Sequence, residues 1–236
     1  MRQRFQLRET IATLIADEVK YIEEAIKSIK YHRRQLEEYI SRDPFFKITL
    51  EPYECSEGAP EIVKLMCEAS KKAGVGPMAA VAGAIAELAL KAMMEKGASH
   101  AIVENGGDIA ILNDRETVIG IYAGESPFKN LGLLLEPRDK PLGICTSSGT
   151  VGPSLSFGNA DATTVIANTA SLADACATLL GNEVKDKSSV KSAINNIKGI
   201  EGVEGALVII GNTLAAWGNI PRIVEVSLSP DCITRG

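Results

Sequence analysis

A chain of 236 residues, 45% hydrophobic and 23% charged, is long enough to bury a substantial core and has the balance of an ordinary water-soluble globular protein. A formal net charge of −5, with no basic cluster interleaved with aromatics, excludes non-specific nucleic-acid binding and a single-strand stacking surface. The charged N-terminus is not a signal peptide and no run of about 18 apolar residues stands out as a membrane span, so the expected location is the cytoplasm. There the five cysteines, odd in number and without a CxxC pair, are expected to be reduced thiols.

In chain order, FQLRETIATLIA (5–16) alternates in part and carries β-branched residues, which predicts a strand. Residues 17–44 predict one long helix. Val19, Ile22, Ile26, Ile29, Leu36 and Ile40 lie near one face, Arg33 interrupts the stripe, and Pro44 ends it. FFKITLEPY (45–53) alternates Phe46, Ile48 and Leu50, predicting a strand that ends at Pro52. Residues 59–74 predict a helix closed by Gly74. Residues 76–97 predict a second, opened by Pro77 and closed by Gly97. Gly83, Ala84 and Ala86 give this second helix a surface that another backbone or a ligand can approach.

Strands are expected near 100–104, 107–112, 117–123, 130–135 and 142–146, and another at 160–168. Helices follow at 171–182, with Ser171 as N-cap, and at 186–199. Residues 205–218 and 220–228 read as a closing pair of strands. No internal repeat or linker interrupts the chain. The pattern predicts an α+β fold, with mixed, largely antiparallel sheets and packed helices, in a single domain over 1–236.

Three segments carry candidate chemistry. In SLADACATLL, Asp174 and Thr178 are four residues apart, so a helix places a carboxylate and a hydroxyl on one face. Two such oxygens suit Mg²⁺, which completes its shell with waters and substrate phosphates. The bland alternative makes Asp174 a first-turn helix-dipole residue. In IVENGGDIAI, the Gly106-Gly107 pair permits positive φ and close backbone approach, and Asp108 could bond to hydroxyl or ring N–H groups. The bland alternative is a tight turn between two strands. The third segment, CTSSGTVGPSLSFGNAD (145–161), offers N–H and O–H donors to a phosphate, Thr146, Ser147, Ser148, Gly149, Thr150, Ser154 and Ser156 among them. It is not a Walker loop.

Nucleophilic catalysis has little support. His32 is expected to face solvent and His100 to be structural. Cys145 and Cys176 read as small buried residues.

The order of these pieces resembles the ApbE family, flavin transferases that move FMN from FAD to a protein threonine. The resemblance runs over residues 76–182: a helix, VENGGDIAI, a strand block, ICTSSG, ADATTVIA, and a helix of A-D-x-x-x-T pattern. It implies that Asp174 and Thr178 bind Mg²⁺ on the FAD pyrophosphate, and that Gly106, Gly107 and Asp108 lie near the flavin nucleotide. It also implies that Thr146, Ser147, Ser148 and Gly149 correspond to the family's TSG loop. Two departures stand out. Ala82 occupies the place of a family lysine, and GPSLSFGNAD replaces a His-x-x-Asp-Pro-x-Thr-Gly segment, leaving Asp161 as a replacement carboxylate by position alone. Residues 1–75 do not match the transferases, which suggests a divergent branch.

Three functions are compatible with this reading. The first is Mg²⁺-dependent FMN transfer to an acceptor protein. The second is a non-transferring nucleotide-binding module. The third is an accessory protein of anaerobic sulfur or cofactor metabolism, with Cys145 its most testable residue. The long first helix and the small-residue helix faces are compatible with a homodimer.

Overall fold

The computed structural model describes residues 1–128, 130–149 and 158–226. Thr150, Ser154, Ser156, Cys232 and the end of the last expected strand lie outside them. The elements, in order, are β1 (Arg2–Leu7), β2 (Thr10–Ala16), α1 (Val19–Arg42), α2 (Phe45–Ile48), α3 (Glu61–Ala73), a 3₁₀ turn (Pro77–Ala80) and α4 (Val81–Glu95). Then come β3 (Ala101–Asn105), β4 (Asp108–Leu112), β5 (Thr117–Ile121), β6 (Leu131–Leu135), β7 (Leu142–Ser147) and β8 (Ala162–Ala167). The chain continues through α5 (Ala170–Glu183), α6 (Val190–Ile197), β9 (Val203–Ile210), β10 (Thr213–Gly218) and β11 (Arg222–Glu225).

The strands form two sheets, as the α+β expectation requires. One has eight strands in the order β1-β2-β3-β4-β7-β8-β9-β10, and the other three in the order β11-β6-β5. Every pairing is antiparallel. Period-two alternation divides the large sheet's side chains between two cores. Ile109, Ile111, Leu142, Ile144, Ile166 and Leu207 pack with Ile119, Ile121, Leu133 and Leu135 of the small sheet. Val103, Ala110, Cys145, Val165 and Val208 face the helices instead. The result is a helix layer, a large sheet and a small sheet, stacked in that order.

Several local expectations are corrected. Residues 5–16 are two strands, because Arg8 adopts φ 53° and turns the chain between Leu7 and Thr10. Arg33 breaks the stripe of α1 because its guanidinium reaches this turn, donating to Thr10 Oγ1 at 2.6 Å and Glu9 Oε2 at 2.6 Å. Val19, assigned to the apolar face, is exposed. FFKITLEPY is not a strand: Phe45–Ile48 close one helical turn that buries Phe46 among aromatic neighbours Tyr39 and Tyr53. Gly74 ends α3 in the left-handed conformation, as its position predicts. The N-cap of α5 is Thr169, whose Oγ1 accepts from Leu172 N, and not Ser171. The closing segments are three strands, since residues 205–218 fold back on themselves at Gly211.

Three further readings change. His32 is only partly exposed, and burial holds its imidazole below the usual value. Residues Pro77–Glu95 are long and apolar enough to cross a membrane by length and composition. In this fold they pack on α1, α3, α5 and strands β3 and β4. Finally, not all thiols are reduced: Cys55 and Cys67 form a disulfide, with Cα atoms 6.3 Å apart.

Candidate functional site

The Gly106-Gly107 pair is a two-residue hairpin turn. Asn105 and Asp108 face each other across it, and both glycines have positive φ, 67° and 102°. A primed hairpin turn requires that backbone. Among the described residues, a side chain at Gly106 would meet nothing within 4 Å. The outer face of Gly106 is open.

The turn aims two polar side chains at the helix layer. Asn105 is buried, and its Nδ2 donates to Ala82 O at the start of α4. Asp108 pairs in register with Cys145 and therefore shares its face. Across the layer, Asp174 of α5 is buried, and its Oδ2 accepts from Gly83 N at 2.8 Å. Gly83 is the third residue of α4 and would otherwise be an unpaired helix-end donor. Glycine is required there, because a Cβ would fall 2.2 Å from Ala170 O and 2.8 Å from Asp174 Cβ.

Burial and close charge dominate the electrostatics. Burial pushes the Asp174 carboxyl up to about 7, against the opposing pull of the Gly83 and Ala82 N–H groups. Asp108 is raised well above the carboxylate range, first by burial and then by the charge of Asp174. The Cys145 thiol and Thr146 N–H oppose that rise. Cys145 is fully buried, bonds Ala170 O at 3.3 Å, and is itself pushed well up by burial and by the Asp108 and Asp174 charges. Burial likewise raises Cys176 to about 12. Neither thiol is poised as a thiolate nucleophile.

The other candidates divide. Thr178 lies one turn beyond Asp174 on α5 and is half-buried. Ser147 faces α5, since a Cβ at Gly181 would lie 3.2 Å from Ser147 Oγ. Gly149 is closed in, with its N–H donating to Ala160 O and a Cβ position 2.2 Å from Gly158 O. Ser148 is half-exposed beside it. The Thr146 hydroxyl is not brought to the Asp108–Asp174 pair: it bonds Thr164 Oγ1 at 2.9 Å, on the opposite face of the sheet from Cys145. Its N–H serves Asp108 instead. Asp161 is engaged elsewhere, accepting from Gly211 N at 2.7 Å in the β9–β10 turn. His100 lies 3.6 Å from Asp114 and away from these residues.

Sequence reasoning missed Asn105 and Glu87. Glu87 of α4 is largely buried and accepts from Ser171 N at 3.0 Å and Ser171 Oγ at 2.7 Å. An acid four residues after the close-packed Gly83, in the otherwise apolar first ten residues of α4, was the available signal.

The donor set fits Mg²⁺. No three His, Cys, Asp or Glu side chains converge among the described residues, so there is no self-sufficient cage. Mg²⁺ needs only one or two protein oxygens when phosphates supply the rest. The charge of Asp174 raises the proton affinity of Asp108, and a cation between them would relieve that repulsion.

The fold is that of the ApbE flavin transferases. The flavin transferase ApbE of Vibrio cholerae superposes with a TM-score of 0.57 at 12% identity, covering 92% of this chain and 96% of its own. The flavinyl transferase ApbE of Pseudomonas stutzeri, in its apo form, gives 0.58 at 12%, covering 92% and 94%. The chain belongs to the family described as AbpE bacteria, whose profile matches residues 2–202 and so includes the N-terminal part. Its relatives include UPF0280 proteins of Methanosarcina acetivorans, 53% identical over all of this chain and 93% of the relative, and of Methanococcoides burtonii, 54% identical over the whole of both. The UPF0280 protein of Archaeoglobus fulgidus is 45% identical over 100% and 99%.

Proposed function

We propose that this protein binds FAD beside the Gly106–Asp108 turn and transfers its FMN moiety to a threonine of an acceptor protein, with Mg²⁺. The observation that carries the reading is a half-buried Asp108 facing the buried Asp174 behind an open glycine turn, on an ApbE fold. The open face of Gly106 admits the nucleotide, and Asp174, Thr178 and Asp108 would hold the metal. Mg²⁺ there would neutralise charge on the pyrophosphate as the P–O bond breaks. Ser147 and Ser148 offer hydroxyl donors at the end of β7, while the Gly149 N–H donates to Ala160 O. Asn105 and Glu87 fix the approach of α4 and α5 and so hold Asp174 in place.

A second reading, flavin-nucleotide binding without transfer, draws on one specific observation. Asp174 Oδ2 already serves Gly83 N–H, which accounts for the carboxylate as a structural group. Ala82 in the place of a family lysine agrees with it.

Calorimetric titration with FAD, with and without Mg²⁺, separates the two on wild type and Thr178→Val. Transfer predicts Mg²⁺-strengthened binding that the variant loses. Equal affinity in Mg²⁺ and in chelator selects the binding module. No FAD binding in either condition removes both.

A further inference from the structure

The Cys55–Cys67 disulfide takes no part in this site. It joins α3 to residues 49–60, a stretch without helix or strand that connects α2 to α3. Unstructured connections of that length inside compact folds are uncommon and tend to carry function. Besides the disulfide, the strap is held by Tyr53, whose ring packs on Phe46 and whose hydroxyl bonds Asp43 Oδ2, by the buried Ala59, and by an exposed Lys71–Glu54 ion pair at 2.6 Å. Exposed pairs of that kind hold little. At its start the strap crosses Gly76, where a Cβ would fall 2.1 Å from Thr49 O. Gly76 immediately precedes the 3₁₀ turn that leads into α4 and the donors to Asp174.

The disulfide is also reachable. Cys67 is buried at 6% exposure, but Cys55 is only half-buried. A cavity of ≈380 Å³, open to solvent, is lined by both cysteines together with Lys64, Lys71 and the carboxylates of Glu54, Glu57 and Glu68. Lys71 is already paired with Glu54, so it is access to Cys55, and not local positive charge, that favours exchange here. By contrast Cys145 and Cys176 are buried and bonded or packed in the core.

We propose that Cys55–Cys67 is a thiol–disulfide exchange site for a dithiol reductant, and that its redox state latches and releases the 49–60 strap. One thiolate of the dithiol attacks Cys55 Sγ, forming a mixed disulfide and expelling Cys67 as a thiolate. The second thiolate of the dithiol then attacks its own sulfur in the mixed disulfide and expels Cys55. The dithiol leaves as a cyclic disulfide, and two electrons and two protons end on the cysteine pair. The strap, left without its covalent tie between the Tyr53 and Ala59 anchors, opens from α3.

The test uses the full chain carrying Cys232→Ser, equilibrated with dithiothreitol, trapped with N-ethylmaleimide under native conditions, and read by intact mass and hydrogen exchange. Two maleimides must add after reduction and none before. Amide exchange within 49–60 must quicken by about tenfold or more on reduction, as local opening does. Cys55→Ser/Cys67→Ser must show the fast exchange without reductant. A bond that native-state dithiothreitol does not reduce overturns the proposal, as does a reduced strap that exchanges as slowly as the oxidised one. If the double variant fails to fold, the reduced Cys232→Ser chain still decides the matter.

Discussion

Asp174 and Glu87 each bond to the first turn of the other's helix. Asp174 of α5 accepts from Gly83 N at the start of α4, and Glu87 of α4 accepts from Ser171 N at the start of α5. Helix starts carry unpaired donors and partial positive charge, so two of them side by side repel unless anions intervene. Each helix supplies the carboxylate the other needs. The candidate site is therefore built on a reciprocal cap, and the oxygens proposed to bind metal are a by-product of how α4 meets α5.

This separates two roles of Asp174. Asp174→Asn keeps an oxygen for Gly83 N–H but loses the charge; Asp174→Ala loses both. The alanine variant is expected to lose about 1–3 kcal/mol of stability, the cost of an unsatisfied buried donor, and the asparagine variant clearly less. Both are expected to lose any Mg²⁺ dependence of FAD binding. Urea unfolding and calorimetry on the pair check this. Equal destabilisation by both would contradict the cap.

Gly83→Ala tests the closeness of the helices. Its methyl would overlap the Ala170 carbonyl, which is backbone and cannot swing aside. Overpacking of that kind costs about 1–3 kcal/mol or more. A melting temperature within 1 °C of wild type, about the scatter of such a scan, would contradict it.

Glu87 gives a pH signature. Burial raises its carboxyl above the usual 4.5, outweighing the two Ser171 donors. The folded chain then holds the proton more tightly than the unfolded chain, so stability falls as pH rises from about 4.5 through the raised value. Glu87→Gln keeps an oxygen acceptor for Ser171 and removes the titration. The stability difference between the variant and wild type should tilt toward the variant from pH 4 to pH 8, with other titrations cancelling in the difference. Parallel pH profiles would contradict the assignment.

Much of this architecture was legible in the sequence, and the failures have physical causes. The antiparallel strand block, the Gly74 stop and the Asp174–Thr178 face follow from local rules. FFKI misled because four residues hold too little chain to tell period two from 3.6, and Phe46 is buried in either. The hairpin at Arg8 was hidden because a non-glycine residue took a left-handed φ, held in part by Arg33 from α1. Thr146 was grouped with Ser147 as a loop, but both lie in β7, where neighbours point to opposite faces. The partners of Gly83 and Glu87 lie on α5, far along the chain, which no local pattern encodes; the Cys55–Cys67 pair, 12 residues apart, was missed because an odd cysteine count argued for reduced thiols.

The last prediction concerns whether the glycine turn serves the hairpin alone or also a ligand. At Gly106 the cost of a side chain against the described residues is its φ of 67°, because none of them lies within 4 Å. Asparagine tolerates that backbone and is common in such turns, whereas alanine pays about 1–2 kcal/mol. Gly106→Asn is therefore expected to fold with near wild-type stability, and Gly106→Ala to be destabilised by that amount. If a nucleotide lies against the turn, both variants weaken FAD binding at least several-fold, the stable one included, because any Cβ fills the open face. If Gly106→Asn binds FAD as wild type does, the glycines are there for the hairpin, and the nucleotide must approach from the α5 side, past Thr178 and Ser147.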